Sequence, residues 1–269
     1  WAKPVDERKS YFTMSNENNY TIWSFLKKCH GKGLIYRGYD AMPWCGRCGV
    51  GISEQEMKEG YRLIEHRAAF VKFPLRGRPN EFLLVWTTTP WTIPSNLAVA
   101  FHPEFEYAVV RVGDVHYVIA ADLVENVASA LAWTDFHIET RMAGINLEGM
   151  TFRHPIFDRA SVAVHADYVT TEDGTGVVHT APSHGRDDFF TGQKYGLPVP
   201  NTVDEGGVLT AEAGEFQGVH YKQCDVVVVD RLNEVGALLK VSDYAHSYPH
   251  AERDGQPVIF RATEQWFVS

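Results

Sequence analysis

The stretch WTTTPWTIPSN, residues 86–96, constrains this chain more than any other part of its sequence. An apolar run, residues 82–85, predicts a buried strand that leads directly into the threonines at 87–89. Pro90 and Pro94 fix two φ angles, so neither a regular helix nor a central strand is expected beyond them. A threonine run alone is more often part of a sheet than of a site. The two prolines favour instead a stiff loop at a strand end, lined with hydroxyl groups.

The composition is that of a globular protein. The chain has 269 residues, enough for one large domain or two ordinary ones, with 45% hydrophobic and 22% charged residues. No aliphatic run is long enough to cross a bilayer, so no membrane partner is expected. Residues 1–10 are charged and contain no apolar signal segment. Four cysteines suggest a reducing compartment rather than a disulfide framework, which predicts a cytoplasmic location.

The net charge of −9 argues against strong autonomous binding to a polynucleotide. Non-specific affinity for nucleic acid comes from Lys and Arg side chains that release phosphate counterions. Any contact with RNA must therefore be local or shared with a partner.

Residues 1–60 are interpreted as a lead-in segment. Apolar residues at helical spacing predict a helix over 20–28, which two following glycines terminate. Residues 36–44 are aromatic and extended. Ser53, followed three residues later by Glu56, has the spacing of a capping box and predicts the start of a short helix.

Residues 61–240 predict a β-rich domain, because short strands recur with turn residues between them. The predicted strands cover 68–73, 80–86, 96–101, 106–112, 115–120 and 161–169. Helices are predicted over 121–131, from near His184, and over 219–239. The expected fold class is α+β: a barrel-like domain with peripheral helices and a small flanking module. Residues 241–269 are polar and predict an extended return segment.

A second stretch of chemical interest, GTGVVHTAPSHGRDD, contains His179 and Asp188. His179 ends a predicted strand, and Asp188 lies in the first turn of the helix near His184, so the two could face one cleft. A carboxylate there would pair with a cationic amine through a charge-assisted contact. Two other interpretations remain open at this point. One is a core histidine beside a helix-capping aspartate, and the other is a metal site of His179, His184 and Asp188.

Cys45 and Cys48 form half of a zinc knuckle. A structural zinc site takes four ligands, and the sequence has no second CxxC. His246, His250 and Asp254 lie downstream as candidates to complete the site, and two free buried thiols are the alternative. The sequence contains no nucleophile elbow, phosphate-binding loop or dinucleotide fingerprint.

The two stretches together are specific enough to indicate a family. WTTTPWTIPSN, followed downstream by GTGVVHTAPSHGRDDFFTG, resembles the editing domain of isoleucyl-tRNA synthetase, a class I enzyme. YRGYDAMPWCGRCGVGISEQEM resembles the segment that leads from the catalytic core into this inserted domain. HSYPH and RATEQWFVS resemble the segment that leads back. Valyl and leucyl enzymes have arginine after related threonines, whereas Pro-Trp-Thr stands here, which favours the isoleucyl member.

The resemblance implies a β-rich editing (CP1) domain that hydrolyses the ester of misacylated valyl-tRNA(Ile). It implies seven site residues, of which four are catalytic and three bind substrate: Thr87, Thr88, Thr89 and Asp188, then Trp86, Asn96 and His179. The threonines and Asn96 would surround the ester and the terminal adenosine, with Trp86 at the border. Asp188 would hold the α-ammonium group, and His179 would wall the side-chain pocket. The implied partners are the acceptor end of tRNA(Ile) carrying a mischarged valine and the remainder of the synthetase.

Two departures from the family pattern limit what the chain is expected to do. The HIGH and KMSKS motifs are missing, so ATP-dependent activation of an amino acid is not expected. Where the family has CWRC after YPH, residues 251–254 read AERD, so the second pair of zinc ligands is missing and no cofactor is expected. Two rival functions remain: a metal-dependent hydrolase, and a non-catalytic module that docks tRNA or another domain.

Overall fold

The computed structural model describes residues 12–269, which form an α+β protein rich in strands, as the sequence predicts. The charged opening segment, residues 1–10, lies outside the described residues. The helices are α1 (Asn16–Gly31), α2 (Glu54–Glu59), α3 (Val124–Leu131), α4 (Arg186–Lys194) and α5 (Tyr221–Glu234). The strands are β1 (Ile35–Cys45), β2 (Val50–Gly51), β3 (Tyr61–Pro74), β4 (Glu81–Thr87), β5 (Ala98–Phe101), β6 (Glu106–Val112), β7 (Val115–Ala120), β8 (His137–Ala143), β9 (Thr151–Arg153), β10 (Ala160–His165), β11 (Val178–Thr180), β12 (Leu238–Pro249) and β13 (Ile259–Val268). None of the helices in this part of the chain combines the length and the apolar composition needed to span a membrane.

The helix ends follow the local chemistry of the sequence. At α2, Ser53 Oγ accepts from Glu56 N at 3.2 Å, and the Glu56 carboxylate accepts from Ser53 N at 3.0 Å, which confirms the predicted capping box. Helix α1 begins earlier than predicted because Ser15 Oγ accepts from Asn18 N. It ends at Gly31, the first of the two glycines predicted to terminate it.

Most of the valine-rich segment 219–239 is helical, as predicted, and forms α5, whereas residues 238 and 239 already belong to β12. Cys224, Val228 and Leu232 are fully buried and recur every fourth residue, so one stripe of the helix packs on the core. Gly236 follows with φ of +69°, a conformation that glycine adopts without strain and that ends the helix.

Strands β8 and β9 do not appear among the strands predicted from sequence. In β8 every residue is exposed except Met142, so no alternation of apolar residues marks it. It is a strand because it pairs with β6, with Glu106 opposite Ala143 at one end of the ladder and Arg111 opposite His137 at the other. A ladder of backbone hydrogen bonds to a neighbouring strand leaves no such signal in the sequence.

The largest sheet has six strands in the order β12-β3-β4-β7-β6-β8, and all neighbours are antiparallel except β4 and β7. Strands β12 and β8 are its edges, so the sheet is open. The short, regularly spaced strands suggested a barrel, but within residues 12–269 no sheet closes on itself.

A second sheet, in the order β11-β5-β10-β9, positions the site, and the third has the order β13-β1-β2. Strand β5 follows the threonine-rich stretch and is parallel to β10 and antiparallel to β11. The register places His179 of β11 opposite Val99 of β5. Two stretches that are distant in sequence therefore meet through a single strand.

The chain divides into two compact units, residues 41–262 and residues 12–40 with 263–269. The larger unit contains the main hydrophobic core, built from the six-stranded sheet, α3 and α5. In the smaller unit, Arg37 forms an ion pair with Glu264. The predicted division into residues 1–60, 61–240 and 241–269 stays a prediction. Strand β12 crosses residue 240 and pairs with β3 along its length.

Candidate active site

A cavity of about 380 Å³ in the larger unit is lined by six of the seven predicted site residues. These six are Trp86, Thr87, Thr88, Thr89, His179 and Asp188. The seventh, Asn96, is fully buried and is not one of the lining residues. The structure thus brings the two stretches singled out in the sequence to one cavity.

The path of the chain explains this convergence. Strand β4 ends at Thr87, and the chain continues through a short 3-10 helix, Pro90–Ser95, into β5. The two prolines therefore produce a tight turn that is neither an α-helix nor a strand, as the sequence predicts. Strand β11, which pairs with β5, brings His179, and α4 begins shortly after it and brings Asp188.

Backbone and hydroxyl groups order the threonine run. Thr87 Oγ1 accepts from Thr89 N at 3.1 Å and lies 3.4 Å from Thr89 Oγ1. The carbonyl of Thr89 accepts from Thr92 N at 3.1 Å and from Thr92 Oγ1 at 2.8 Å. All six residues of the 3-10 helix are buried, so the turn is fixed by packing as well as by these bonds. The cavity wall therefore presents hydroxyl groups from a rigid segment.

Helix α5 anchors the same turn through a residue that the sequence analysis did not select. Asp225 Oδ1 accepts from Trp91 N at 3.0 Å, and burial raises the pKa of Asp225 to about 6. The bond ties the 3-10 helix to α5. No local pattern links Trp91 to Asp225, because 134 positions separate them in the chain.

The hydrogen bonds of His179 define its tautomer. Thr92 Oγ1 donates its single proton to the Thr89 carbonyl, so it must accept from His179 Nε2, which lies 2.9 Å away. The other ring nitrogen, Nδ1, then carries no proton and lies 3.5 Å from the side-chain amide nitrogen of Asn96, which donates. Both ring nitrogens are occupied, and the ring orientation is fixed.

The imidazole of His179 is neutral near pH 7. Burial, together with a smaller effect of the nearby His184, lowers the pKa of His179 to about 4. Only 8% of the residue is exposed. A neutral ring bonded at both nitrogens is suited to be a fixed wall rather than a group that exchanges protons with substrate.

Asp188 lies in the first turn of α4, where the helix dipole favours a carboxylate. Its Oδ2 accepts from Ala181 N at 2.8 Å. Burial nevertheless raises the pKa of Asp188 to about 7; the Ala181 amide opposes this shift and the charge of Asp187 adds to it. Because no cationic side chain of residues 12–269 offsets the burial of this carboxylate, a cationic ligand would stabilise its charged form.

Asn96 lies behind His179 rather than in the cavity. Its Nδ2 donates to Ala98 O at 2.7 Å and to the imidazole, and its Oδ1 accepts from Ser161 Oγ at 3.0 Å. Direct contact with the ester or the adenosine, which the resemblance implies, does not fit a residue that is 0% exposed. Asn96 instead orients His179. The sequence makes Asn96 a candidate, but its position behind the imidazole depends on residues such as Ser161 that only folding brings next to it.

The metal site considered for His179, His184 and Asp188 does not form. Within residues 12–269, the group of metal-binding side chains that come together is a different one, and it contains none of these three. His184 Nδ1 forms a hydrogen bond with Phe260 O at 2.9 Å, and its Nε2 forms one with Thr202 Oγ1 at 2.6 Å. With both nitrogens bonded to protein groups, its side chain is structural.

Trp86 is held by two residues that were not candidates from the sequence, Gly174 and Tyr244. Gly174, with φ of +75°, lies so close that a Cβ atom there would be 2.8 Å from the indole. The Tyr244 ring contacts the indole edge-to-face with centroids 4.9 Å apart, and its hydroxyl donates to Asp173 at 2.7 Å. The paired glycines of GTG were a signal for the first contact, since glycine permits such a close approach.

The cysteine half-site is completed in part. Cys45, Cys48 and Asp254 offer ligand atoms within 4.8 Å of one another, and Cys45 Sγ lies 3.6 Å from Asp254 Oδ2. Ala251, which is 1% exposed, has no ligand atom to offer. Neither His246 nor His250 is part of this group. Three donors do not fit a structural zinc site, which takes four protein ligands.

Purified chain is therefore expected to contain well below one zinc per molecule, measured by elemental analysis after purification without added metal. The matched control is the double variant Ala251→Cys, Asp254→Cys, which supplies four thiols and should bind about one zinc per chain. One zinc per chain in the unaltered protein would contradict the prediction.

Comparisons with known proteins agree with the fold and with the resemblance. The family described as tRNA synthetases class I (I, L, M and V) matches residues 3–269. The isoleucine–tRNA ligase of Fervidobacterium nodosum is 42% identical over 264 residues, which cover 98% of this chain and 29% of that protein. The isoleucine–tRNA ligase of Petrotoga mobilis is 41% identical over 268 residues, 100% of this chain and 28% of that protein.

A solved structure supports the fold independently. The crystal structure titled GlLeuRS-CP1 superposes with a TM-score of 0.53 at 15% identity, covering 67% of this chain and 100% of that one. The chain spans less than a third of the length of the ligases it matches, as its 29% coverage of the Fervidobacterium protein shows. Because the family match extends over almost every residue, the chain belongs to the class I tRNA synthetases (I, L, M and V).

Proposed function

We propose that this chain is the editing domain of an isoleucyl-tRNA synthetase and hydrolyses the ester bond of valyl-tRNA(Ile). The observation that carries the proposal is the cavity in which the threonine run, His179 and Asp188 converge. Its lining includes threonine hydroxyl groups, the neutral imidazole of His179 and the carboxylate of Asp188, which has no cationic partner among residues 12–269. This set suits an aminoacyl ester with a free ammonium group.

An editing domain is necessary because binding alone cannot separate isoleucine from valine accurately enough. One methylene distinguishes isoleucine from valine and is worth about 1–3 kcal/mol; isoleucyl enzymes are the established example, with roughly 150-fold preference. A second site that admits only the smaller amino acid removes the error that remains. The similarity to isoleucine–tRNA ligases over 98% of the chain supports this assignment.

The chemistry needs no covalent intermediate with the protein. Water attacks the ester carbonyl, the carbon–oxygen bond to the ribose breaks, and a proton passes to the ribose oxygen. Because the ester is already activated, positioning the water and the carbonyl contributes much of the rate. Hydroxyl donors from the threonine run stabilise the developing oxyanion. With His179 neutral and bonded at both nitrogens, the vicinal ribose hydroxyl is the group left to assist the water.

The residues divide the recognition of the substrate between them. Asp188 accepts from the α-ammonium group and fixes the aminoacyl end. His179 closes the side-chain pocket, with Asn96 and Thr92 holding its ring. Trp86 borders the site where the terminal adenosine enters.

The decisive experiment is deacylation of valyl-tRNA(Ile) by the purified chain, compared with deacylation of isoleucyl-tRNA(Ile). Hydrolysis of the first and not the second supports the proposal, and hydrolysis of neither contradicts it. Activity that persists after dialysis against a chelator separates this function from metal-dependent hydrolysis.

The pH dependence of kcat/KM is expected to be bell-shaped. Asp188 must be ionised to bind the ammonium, and since burial raises its pKa to about 7, activity should rise with pH up to that value. The substrate amine must be protonated, so activity should fall above the pKa of an α-amino group, about 7.7–8.0. Initial rates corrected for spontaneous hydrolysis measure the profile. The ionised fraction of Asp188 increases between about pH 5 and 7. If kcat/KM stays constant over this range, Asp188 does not bind the ammonium group as a carboxylate.

A further inference from the structure

Five aromatic rings form a row on one face of the six-stranded sheet. The row runs from Trp86 to Tyr244 (4.9 Å between ring centroids), to His246 (5.6 Å), to His66 (4.9 Å) and to Tyr248 (4.8 Å). We refer to these residues as the aromatic row.

Strand geometry places these rings on the same side. Tyr244, His246 and Tyr248 alternate along β12, so all three point to one face. His66 of β3 is directly opposite Tyr244 in the antiparallel ladder and shares that face. All of the rings in the row are half-buried, so part of each remains accessible to a ligand.

The aromatic row begins at the candidate active site and continues away from it. Trp86 lines the active-site cavity, whereas His66 and Tyr248 line a second cavity of about 230 Å³. Thr88 and Thr89 line both cavities, so one continuous surface leads from the site along the row. A group attached to a ligand in the site therefore has a path to this surface.

The rings are held in place before any ligand arrives. His246 Nε2 and His66 Nδ1 are 2.9 Å apart and share one proton between them. The Tyr248 hydroxyl donates to Val258 O at 3.1 Å, and the Tyr244 hydroxyl donates to Asp173. A fixed ring loses little conformational entropy when another ring stacks on it.

The rings of the aromatic row carry no charge of their own. Burial lowers the pKa of His66 and of His246, so both rings are neutral at pH 7. Lys222 of the second cavity donates through Nζ to Gln256 Oε1 at 2.7 Å, and Asp225 lines the same cavity. The row therefore presents uncharged aromatic rings. Nucleobases stack on such rings largely independently of the nucleotide sequence.

We propose that the aromatic row binds the unpaired nucleotides that precede the terminal adenosine at the 3′ end of the tRNA. The choice of tRNA rests on the proposed function, whereas the stacking of single-stranded RNA rests on the row itself. The row supplies the local RNA contact that a chain with a net charge of −9 requires.

The test measures binding without hydrolysis. A fluorescein-labelled, unacylated single-stranded RNA ending in CCA is titrated with the chain, and Kd is obtained from fluorescence anisotropy. His246→Ala should raise Kd at least about fivefold, the lower end of the effect of removing one base–aromatic stack, while His246→Phe should retain most of the affinity. The same RNA annealed into a blunt duplex should bind more weakly than the single strand.

Leu63 provides the matched control. It lies on β3, is 76% exposed, and faces the opposite side of the sheet, so Leu63→Ala should leave Kd unchanged. Lys222 is the one lysine or arginine among the residues that line the second cavity, so the slope of log Kd against log salt should stay near about 0.7, the value for one phosphate contact on a single strand.

Three results would overturn the proposal. These are an unchanged Kd for His246→Ala, equal losses for His246→Ala and Leu63→Ala, and equal binding of duplex and single strand. Deacylation of valyl-tRNA is measured separately, so failure of the proposed function would appear there and would leave the binding result to stand alone.

Discussion

Replacing Asp188 by asparagine is expected to remove most of the deacylation of valyl-tRNA(Ile) and to leave the chain folded. A hydrogen bond to a charged group contributes about 1.5–3 kcal/mol, so kcat/KM should fall at least about tenfold. Loss of the anchor also displaces the ester from the threonine run, which should add to the loss. The measurement is initial deacylation rates over a range of substrate concentrations.

The stability of this variant distinguishes binding from helix capping. Because burial raises the pKa of Asp188 above its ordinary value of 3.8, the folded chain binds this proton more tightly than the unfolded chain. The contribution of Asp188 to stability is therefore greatest below pH 3.8 and is lost as pH rises towards 7. At pH 8 the asparagine variant should unfold at a temperature no lower than that of the unaltered chain.

Asp187 is the matched control for this experiment. It occupies the same first turn of α4, where it interacts with the same helix dipole, but it is exposed and does not line the cavity. Asp187→Asn should therefore keep its deacylation activity. If Asp188→Asn deacylates normally and melts several degrees lower, the carboxylate caps the helix and does not bind substrate.

Replacing His179 by alanine is expected to change selectivity more than rate. An editing pocket must admit valine and refuse isoleucine, which is larger by one methylene. Attraction would favour the larger side chain by about 0.8 kcal/mol, so exclusion must be steric. The imidazole is suited to this role, because Thr92 and Asn96 bond both of its nitrogens and it is neutral at pH 7.

His179→Ala should consequently begin to hydrolyse isoleucyl-tRNA(Ile), with a rate that rises at least about tenfold, and should keep much of its activity on valyl-tRNA. Deacylation of both substrates by both proteins measures the change. His165→Ala is the control, since His165 is equally buried, at 8% exposure, and lies outside the cavity. That variant should lose stability without a change in selectivity.

Two outcomes would contradict the wall assignment. If His179→Ala loses both activities together, His179 takes part in the chemistry. If neither activity changes, it is a core histidine whose contact with the cavity is incidental.

The sequence alone determined the local elements and the identity of the site stretches. Ser53 and Glu56, three residues apart, form the hydrogen bonds that cap the start of α2. The strands 106–112 and 115–120 are indicated by their apolar residues. The prolines of the threonine-rich stretch ruled out regular structure because their φ angles are fixed within the residue itself. Each of these effects acts over a few positions, so the sequence records it directly.

Only the tertiary structure decided how these parts combine. The open sheet depends on which strand edges pair, and the edge strand β8 has no apolar pattern of its own. Asn96, a candidate from the sequence, is fully buried behind His179, and its side chain accepts from Ser161 of β10, which is distant in the chain. The tautomer of His179 and the raised pKa of Asp188 likewise depend on neighbours that folding brings together. Burial and long-range hydrogen bonds are properties of the assembled chain, and no local pattern of residues encodes them.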